Sequence, residues 1–190
     1  MEDITLHDAL KSSYGDKKAR QKLANAGYQY DSILSNHNQQ VYYHPKENKL
    51  LYNVAGTHNL GDVGTDAYLA MGKLKVTHRY KGKLEEAKRK YNINSATVTG
   101  HSLGGSIGQK IASSNDKFYG LDSGYTIGQK TRDRYGNHHH YRSQGDLVSA
   151  LGANAKHMET VSQNRFGILN YINPFGSHNI DNIKNNKIRI

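Results

Sequence analysis

Gly100-His101-Ser102-Leu103-Gly104-Gly105 constrains the fold of this chain more than any other segment. The β-prone run Ser95-Ala96-Thr97-Val98-Thr99 precedes it, and Ser106-Ile107-Gly108-Gln109-Lys110-Ile111-Ala112, with helical apolar spacing, follows. A strand that turns directly into a helix has no room for side chains two positions before and two after its apex, and Gly100 and Gly104 meet that demand. Such a turn lifts the apex hydroxyl off the end of a sheet. It also leaves the N–H of the next residue at a helix N-terminus, where it can donate to a developing anion. Ser102 is therefore a candidate nucleophile, and Leu103 a candidate oxyanion donor.

The remaining chain alternates between the two kinds of element. Thr5 to about Ala26 has helical spacing with a capping start at Thr5-Leu6-His7-Asp8, and Tyr14-Gly15-Asp16 predicts a break within it. Gln40-Val41-Tyr42-Tyr43 and Lys49-Leu50-Leu51-Tyr52-Asn53-Val54-Ala55 read as a hairpin about His44-Pro45-Lys46-Glu47-Asn48, and the second arm delivers the chain to Gly56-Thr57. Residues 60 to 72 read as a short helix or a mobile segment. Leu84 to Tyr91 predicts a helix ending at Asn92, with further strands at Phe118 to Ile127 and Tyr141-Arg142-Ser143. From Gly152 onward the chain is Asn-rich with weak periodicity. The pattern predicts an α/β fold, with a mostly parallel central sheet flanked by helices. We expect a single compact domain over residues 1–190, with residues 1–39 an N-terminal helical segment packed on it.

Composition narrows the chemistry. With no Cys among 190 residues, no disulfide framework and no thiolate chemistry are available. The start Met1-Glu2-Asp3 has no cationic n-region or apolar h-region, and no apolar run reaches the roughly 20 residues of a membrane span. The expectation is a chain kept inside a cell or packaged in a particle assembled there. Lys and Arg number 26 against 16 Asp and Glu, a formal charge of +10, which makes an anionic membrane surface a candidate partner. Basic runs such as Lys17-Lys18-Ala19-Arg20 and Lys88-Arg89-Lys90 read as solvated helix faces, so nucleic acid is not the expected partner. His138-His139-His140 is not read as a metal site, because consecutive side chains diverge and no acidic partner is suitably spaced. No metal or other cofactor is expected, and the glycines of residues 100–105 lack the Gly-Lys-Ser/Thr element of a phosphate loop.

Ala96 to Ser106 resembles the nucleophile elbow of the class 3 lipases, the fungal triacylglycerol-lipase-like family of α/β hydrolases. Two further segments resemble that family in the same order. Leu51 to Thr57, followed by Asp62 and Thr65-Asp66, is similar to its strand ending in an oxyanion loop. Tyr141 to Val148 is similar to its strand ending in an Asp before an apolar pair. The resemblance covers roughly residues 40 to 180 and implies an α/β-hydrolase fold with Ser102 as nucleophile, Asp146 as acid and His178 as base. Thr57 and Leu103 are the implied oxyanion donors. From the residues alone, Asp146 follows a β-prone run at a Gly turn, with Asp122 as its main rival. In that chain order His157 and His178 both qualify as base. His157 follows Asp146 closely, whereas His178 lies in the loop Gly176-Ser177-His178-Asn179. His58 to Met71, where lids lie in the family, has few apolar residues.

The expected function is a serine hydrolase that cleaves carboxylic, lipid acyl esters through a triad and an acyl-enzyme, a lipase or phospholipase. The rival from another class is a catalytically silent protein of the same fold that binds a particle or partner through its basic surface.

Overall fold

The computed structural model describes residues 3–56, 77–124, 136–146, 158–162, 179–182 and 188–190. Helices α1 (Leu6–Ser13) and α2 (Lys17–Asn25) open the chain, separated at Gly15, whose φ of 89° suits glycine. The Thr5 hydroxyl accepts from the Asp8 N–H at 3.2 Å and donates to the Asp8 carboxylate at 2.7 Å, and Asp16 caps α2 through the Ala19 N–H at 2.8 Å. Each cap satisfies a backbone donor that has no partner within its helix.

The strands are β1 (Gln29–Tyr30), β2 (Gln39–His44), β3 (Lys49–Val54), β4 (Thr97–His101), β5 (Lys117–Leu121), β6 (His138–Ser143) and β7 (Met158–Val161). Helix α3 (Thr77–Tyr91) precedes β4, and α4 (Leu103–Ile111) follows it. The described residues form one seven-stranded sheet in the order β1 to β7, antiparallel from β1 to β3 and parallel from β3 to β7. The sheet is mostly parallel and flanked by helices, as the alternation of elements predicted. Its parallel strands bring the carboxyl ends of β3, β4, β5 and β6 to one edge, the edge at which such sheets bind ligands.

Strand alternation sorts the core onto two faces. Leu50, Tyr52 and Val54 of β3 pack with Tyr80, Leu84 and Ala87 of α3 and with Ile107 and Ile111 of α4. Leu51 faces the other way, toward Ala9 of α1 and Leu23 of α2. On that second face lies a buried polar tie: the Asn53 amide donates to the Ala9 carbonyl and the Ser12 hydroxyl, both at 3.0 Å, and accepts from Thr99 at 2.8 Å. The Gln40 amide donates to the Ser13 carbonyl at 3.2 Å. The middle and the last residue of α1 are thus both tied to the sheet.

Several elements differ from the sequence expectation. Helix α3 begins at Thr77 rather than near Leu84. Tyr80, Leu84 and Ala87 form its buried stripe, and Gly82 sits on the outer face with open space around it. The histidine run belongs to β6, which puts His138 and His140 on either side of Phe118, each 5.4 Å away between ring centres, while His139 stacks on Tyr119. β7 has no counterpart in the sequence reading, because its Met158–Val161 is four residues within an Asn-rich stretch. Residues 60 to 72 lie outside the described residues. Among the described residues no helix is long and apolar enough to cross a membrane.

Lys88 departs furthest from its expected place on a solvated face. It is buried and donates to Asp116 at 2.8 Å and Glu85 at 3.2 Å. Asp116, fully buried, also accepts from the Ala96 N–H at 2.8 Å and from the Ser113 N–H and hydroxyl at 2.8 and 2.7 Å. This one carboxylate joins α3, the start of β4 and the turn after α4. Nearby, Asp31 binds Lys90 at 2.5 Å and the Tyr91 hydroxyl at 2.7 Å, tying the loop after β1 to the end of α3. Burial alone would raise the Asp31 pKa, but those bonds and the Ile33 and Leu34 N–H groups outweigh it and hold the pKa below the ordinary value.

Asp116→Ala strips the charge partner from a buried lysine and leaves two backbone donors unsatisfied. It should cost about 3–5 kcal/mol in urea unfolding, against within about 0.5 kcal/mol for Arg89→Ala on the exposed face of the same helix. The depressed Asp31 pKa means that its contribution is complete above about pH 4 and lost as pH falls through the folded value. Urea midpoints measured from pH 6 downward should therefore fall less steeply in Asp31→Asn than in wild type.

Candidate functional site

Ser102 lies where β4 turns into α4, with φ 56° and ψ −125°, a conformation that costs a non-glycine residue roughly 1–3 kcal/mol. The surroundings hold it there. Its N–H donates to the Leu121 carbonyl at 3.1 Å, and its carbonyl accepts from the Gly124 N–H at 3.1 Å and the Ser106 N–H at 3.2 Å. The Ser106 hydroxyl closes the cradle on the Gly124 carbonyl. The Ser102 residue is 3% exposed, and its Oγ has no hydrogen-bond partner among the described residues. A buried hydroxyl kept in a strained turn without a partner among the described residues calls for an explanation.

The flanking glycines are there for space. A Cβ on Gly100 would lie 2.6 Å from the Gly105 nitrogen, and one on Gly104 would meet the Ala55 carbonyl group at 2.8 Å. The start of α4 thus rests directly on the end of β3. Leu103 is the first residue of α4, a position whose N–H has no partner within the helix. A Cβ on Gly56 would come within 3.2 Å of the Ser102 Cβ and 2.7 Å of the His101 carbonyl oxygen. The residue that leads into Thr57 therefore abuts the apex serine.

Two carboxylates reach the same edge of the sheet. Asp146 is buried just past β6, beyond the turn at Gly145, and its N–H donates to the Ser143 carbonyl at 3.1 Å. Asp122, with φ 46°, follows β5, and its carboxylate accepts from both the Ser143 N–H and the Ser143 hydroxyl at 2.6 Å. Asp122 thus joins the ends of β5 and β6. Thr57 and His178 lie outside the described residues. Asn179, which follows His178, and His101, which precedes Ser102, line one cleft of about 400 Å³ together with Lys11, Tyr14, Asp16 and Asp181. Lys11 spans this cleft between Asp181 at 2.8 Å and Asp16 at 3.4 Å, and the Asp181 bond, outweighing partial burial, raises its pKa.

Tyr14 is the residue at this site that the sequence did not disclose. It stands in the break after α1, far from Ser102 along the chain, where a tyrosine signals nothing. Its hydroxyl accepts from the Gly56 N–H at 3.1 Å and bonds Nδ1 of His101 at 2.7 Å. Alternation along β4 turns His101, with Thr99, toward the face that carries α1.

No protein-family model matches the chain, and no curated protein matches it. Solved structures do resemble it. Rhizomucor miehei lipase in its propeptide complex superposes with a TM-score of 0.53 at 14% identity, over 84% of this chain and 67% of that one. A triacylglycerol lipase described as having a serine protease triad at its catalytic centre gives 0.53 at 14% identity, over 84% and 78%. A mutant form of MDLA from Penicillium cyclopium gives 0.52 at 14% identity, over 86% and 77%. At such identities the likeness speaks to the backbone alone: this chain has the α/β-hydrolase-like fold of these lipases.

Proposed function

We propose that this protein is a serine hydrolase of carboxylic esters, with Ser102 as nucleophile. The observation that carries the proposal is the conformation of Ser102 itself, strained and buried between a parallel strand and a helix N-terminus, with no partner for its hydroxyl among the described residues. In this mechanism His178 takes the proton from the Ser102 hydroxyl as it attacks the ester carbonyl. Asp146 orients the imidazole and stabilises its cation, and the N–H groups of Leu103 and Thr57 hold the oxyanion. The leaving alcohol takes the proton from His178. Water, activated by the same histidine, then hydrolyses the acyl-enzyme. Lipid acyl esters are the proposed substrate class, on the strength of the lipases that share the fold. The formal charge of +10 makes anionic lipid surfaces the proposed place of action.

A fluorophosphonate probe should label the wild type and leave Ser102→Ala untouched, and ester hydrolysis by that variant should fall about 10⁴-fold or more. Folded wild-type protein that takes no label would overturn the proposal in favour of a silent binding protein. Ser102→Gly should be inactive yet more stable than wild type by about 1 kcal/mol in urea, because glycine tolerates this backbone conformation. Gly104→Ala should lose hydrolysis as its methyl group pushes against Val54 and Ala55, the residues that lead to the oxyanion loop. On vesicles, hydrolysis should be faster with anionic than with zwitterionic lipid, and the difference should shrink with added salt; equal rates would remove the surface from the proposal.

A further inference from the structure

Helix α1 ends in a place that packing alone does not explain. Asn53 of the sheet donates to the mid-helix Ala9 carbonyl and to the Ser12 hydroxyl, Gln40 donates to the closing Ser13 carbonyl, and the Tyr14 N–H closes the last turn on the Lys11 carbonyl at 3.1 Å. The backbone of Tyr14 is thereby fixed relative to β2 and β3. Its ring meets the His101 ring edge-on, 5.8 Å between centres at 72°. Its hydroxyl reaches the Gly56 N–H and His101 Nδ1 together, so one oxygen touches the chain entering Thr57 and the residue beside Ser102.

We propose that Tyr14 is a positioning residue for ester hydrolysis, holding the oxyanion loop to the nucleophile elbow through its bonds to Gly56 and His101. The proposal rests on the reading of Ser102 as nucleophile. The phenol has one proton and two lone pairs, which suits both contacts at once: a lone pair accepts from the Gly56 N–H, and the proton goes to Nδ1 of a neutral His101. Burial pushes the phenol pKa up, against the opposing pull of the Gly56 N–H, so the hydroxyl keeps its proton at working pH. Glycine at 56 lets the hydroxyl come this close, since a Cβ there would overlap it. Oxyanion donors work only when aimed where charge develops, so a loop displaced by a fraction of an ångström slows acylation without weakening substrate binding.

The rest of α1 supports the same role. Lys11 binds Asp181, three residues past His178, and the Leu6 N–H donates to the Ile188 carbonyl at 2.8 Å. The helix that carries Tyr14 is thus also bound to the segment that follows the proposed base.

Tyr14→Phe keeps the ring and removes both bonds. We expect kcat and the rate of fluorophosphonate labelling to fall ten- to a hundredfold with KM unchanged, and the Gly56 amide to exchange faster in ¹H–¹⁵N spectra. A kcat within twofold of wild type, or a loss of activity that merely tracks the loss of folded protein, would overturn the proposal. Should Tyr14→Phe fail to fold, site-specific incorporation of a ring-fluorinated tyrosine at position 14 decides the matter, because it preserves packing and makes the phenol more acidic. The kcat of that protein should decline at lower alkaline pH than in wild type, and superimposable profiles overturn the proposal. Wild-type protein that neither labels nor hydrolyses esters would instead defeat the reading of Ser102, a result distinct from either outcome at Tyr14.

Discussion

The contact between the first turn of α4 and the end of β3 is the constraint on which this structure turns. Gly104 lies against the backbone of Val54 and Ala55, and Gly100 against that of Gly104 and Gly105. These approaches leave no space for a Cβ, so they require glycine at fixed distances from Ser102. They also require the strand to enter the helix with the apex residue in a left-handed conformation. The cost of that conformation is met by the backbone bonds from Leu121 and Gly124 and by the burial of Ile107 and Ile111 under the sheet. Strain at one residue persists because its neighbours leave it no alternative.

The two ends of the sheet are built from different materials. At the end where β4 begins, the buried Lys88–Asp116 pair gathers α3, β4 and the turn after α4, with four donors on the one carboxylate. At the carboxyl end the Ser102 hydroxyl, the Leu103 N–H at a helix start and the buried carboxylates of Asp122 and Asp146 lie on the strand ends and turns of one edge. The first arrangement supports stability. The second holds the groups on which the proposed chemistry rests, and a sheet of parallel strands keeps the two apart by placing all carboxyl ends together.

Helix α1 connects these halves of the argument through its termination. Asn53, buried on the face opposite α3 and α4, holds the middle of the helix through the Ala9 carbonyl, and Gln40 takes up the Ser13 carbonyl beside Tyr14. From there one hydroxyl reaches both Gly56 and His101. A short N-terminal helix that covers a sheet face for its apolar contacts therefore also bears on the geometry at Ser102.

Elements whose signals are local were legible in the sequence: the capped start at Thr5, the hairpin about residues 44–49, the glycine break before α2 and the strand–turn–helix around Ser102. Each follows from backbone preferences or side-chain volumes of adjacent residues. The place of Asp146 after a strand and at a Gly turn was readable for the same reason, and its burial was not. The start of α3, the strand built from three histidines, β7 and the burial of Lys88 were not, because each is decided by a partner distant in the chain: a sheet face, Phe118, β6 and Asp116. The rivalry between Asp122 and Asp146 also acquired its physical content only in three dimensions, where the Asp122 carboxylate proves to be engaged by Ser143. The sequence by itself determined that Ser102 would stand at a tight, glycine-lined turn, since steric exclusion acts between neighbours. Only the tertiary structure decided that Tyr14 would reach it, since a hydrogen bond between residues 14 and 101 has no trace in either local sequence.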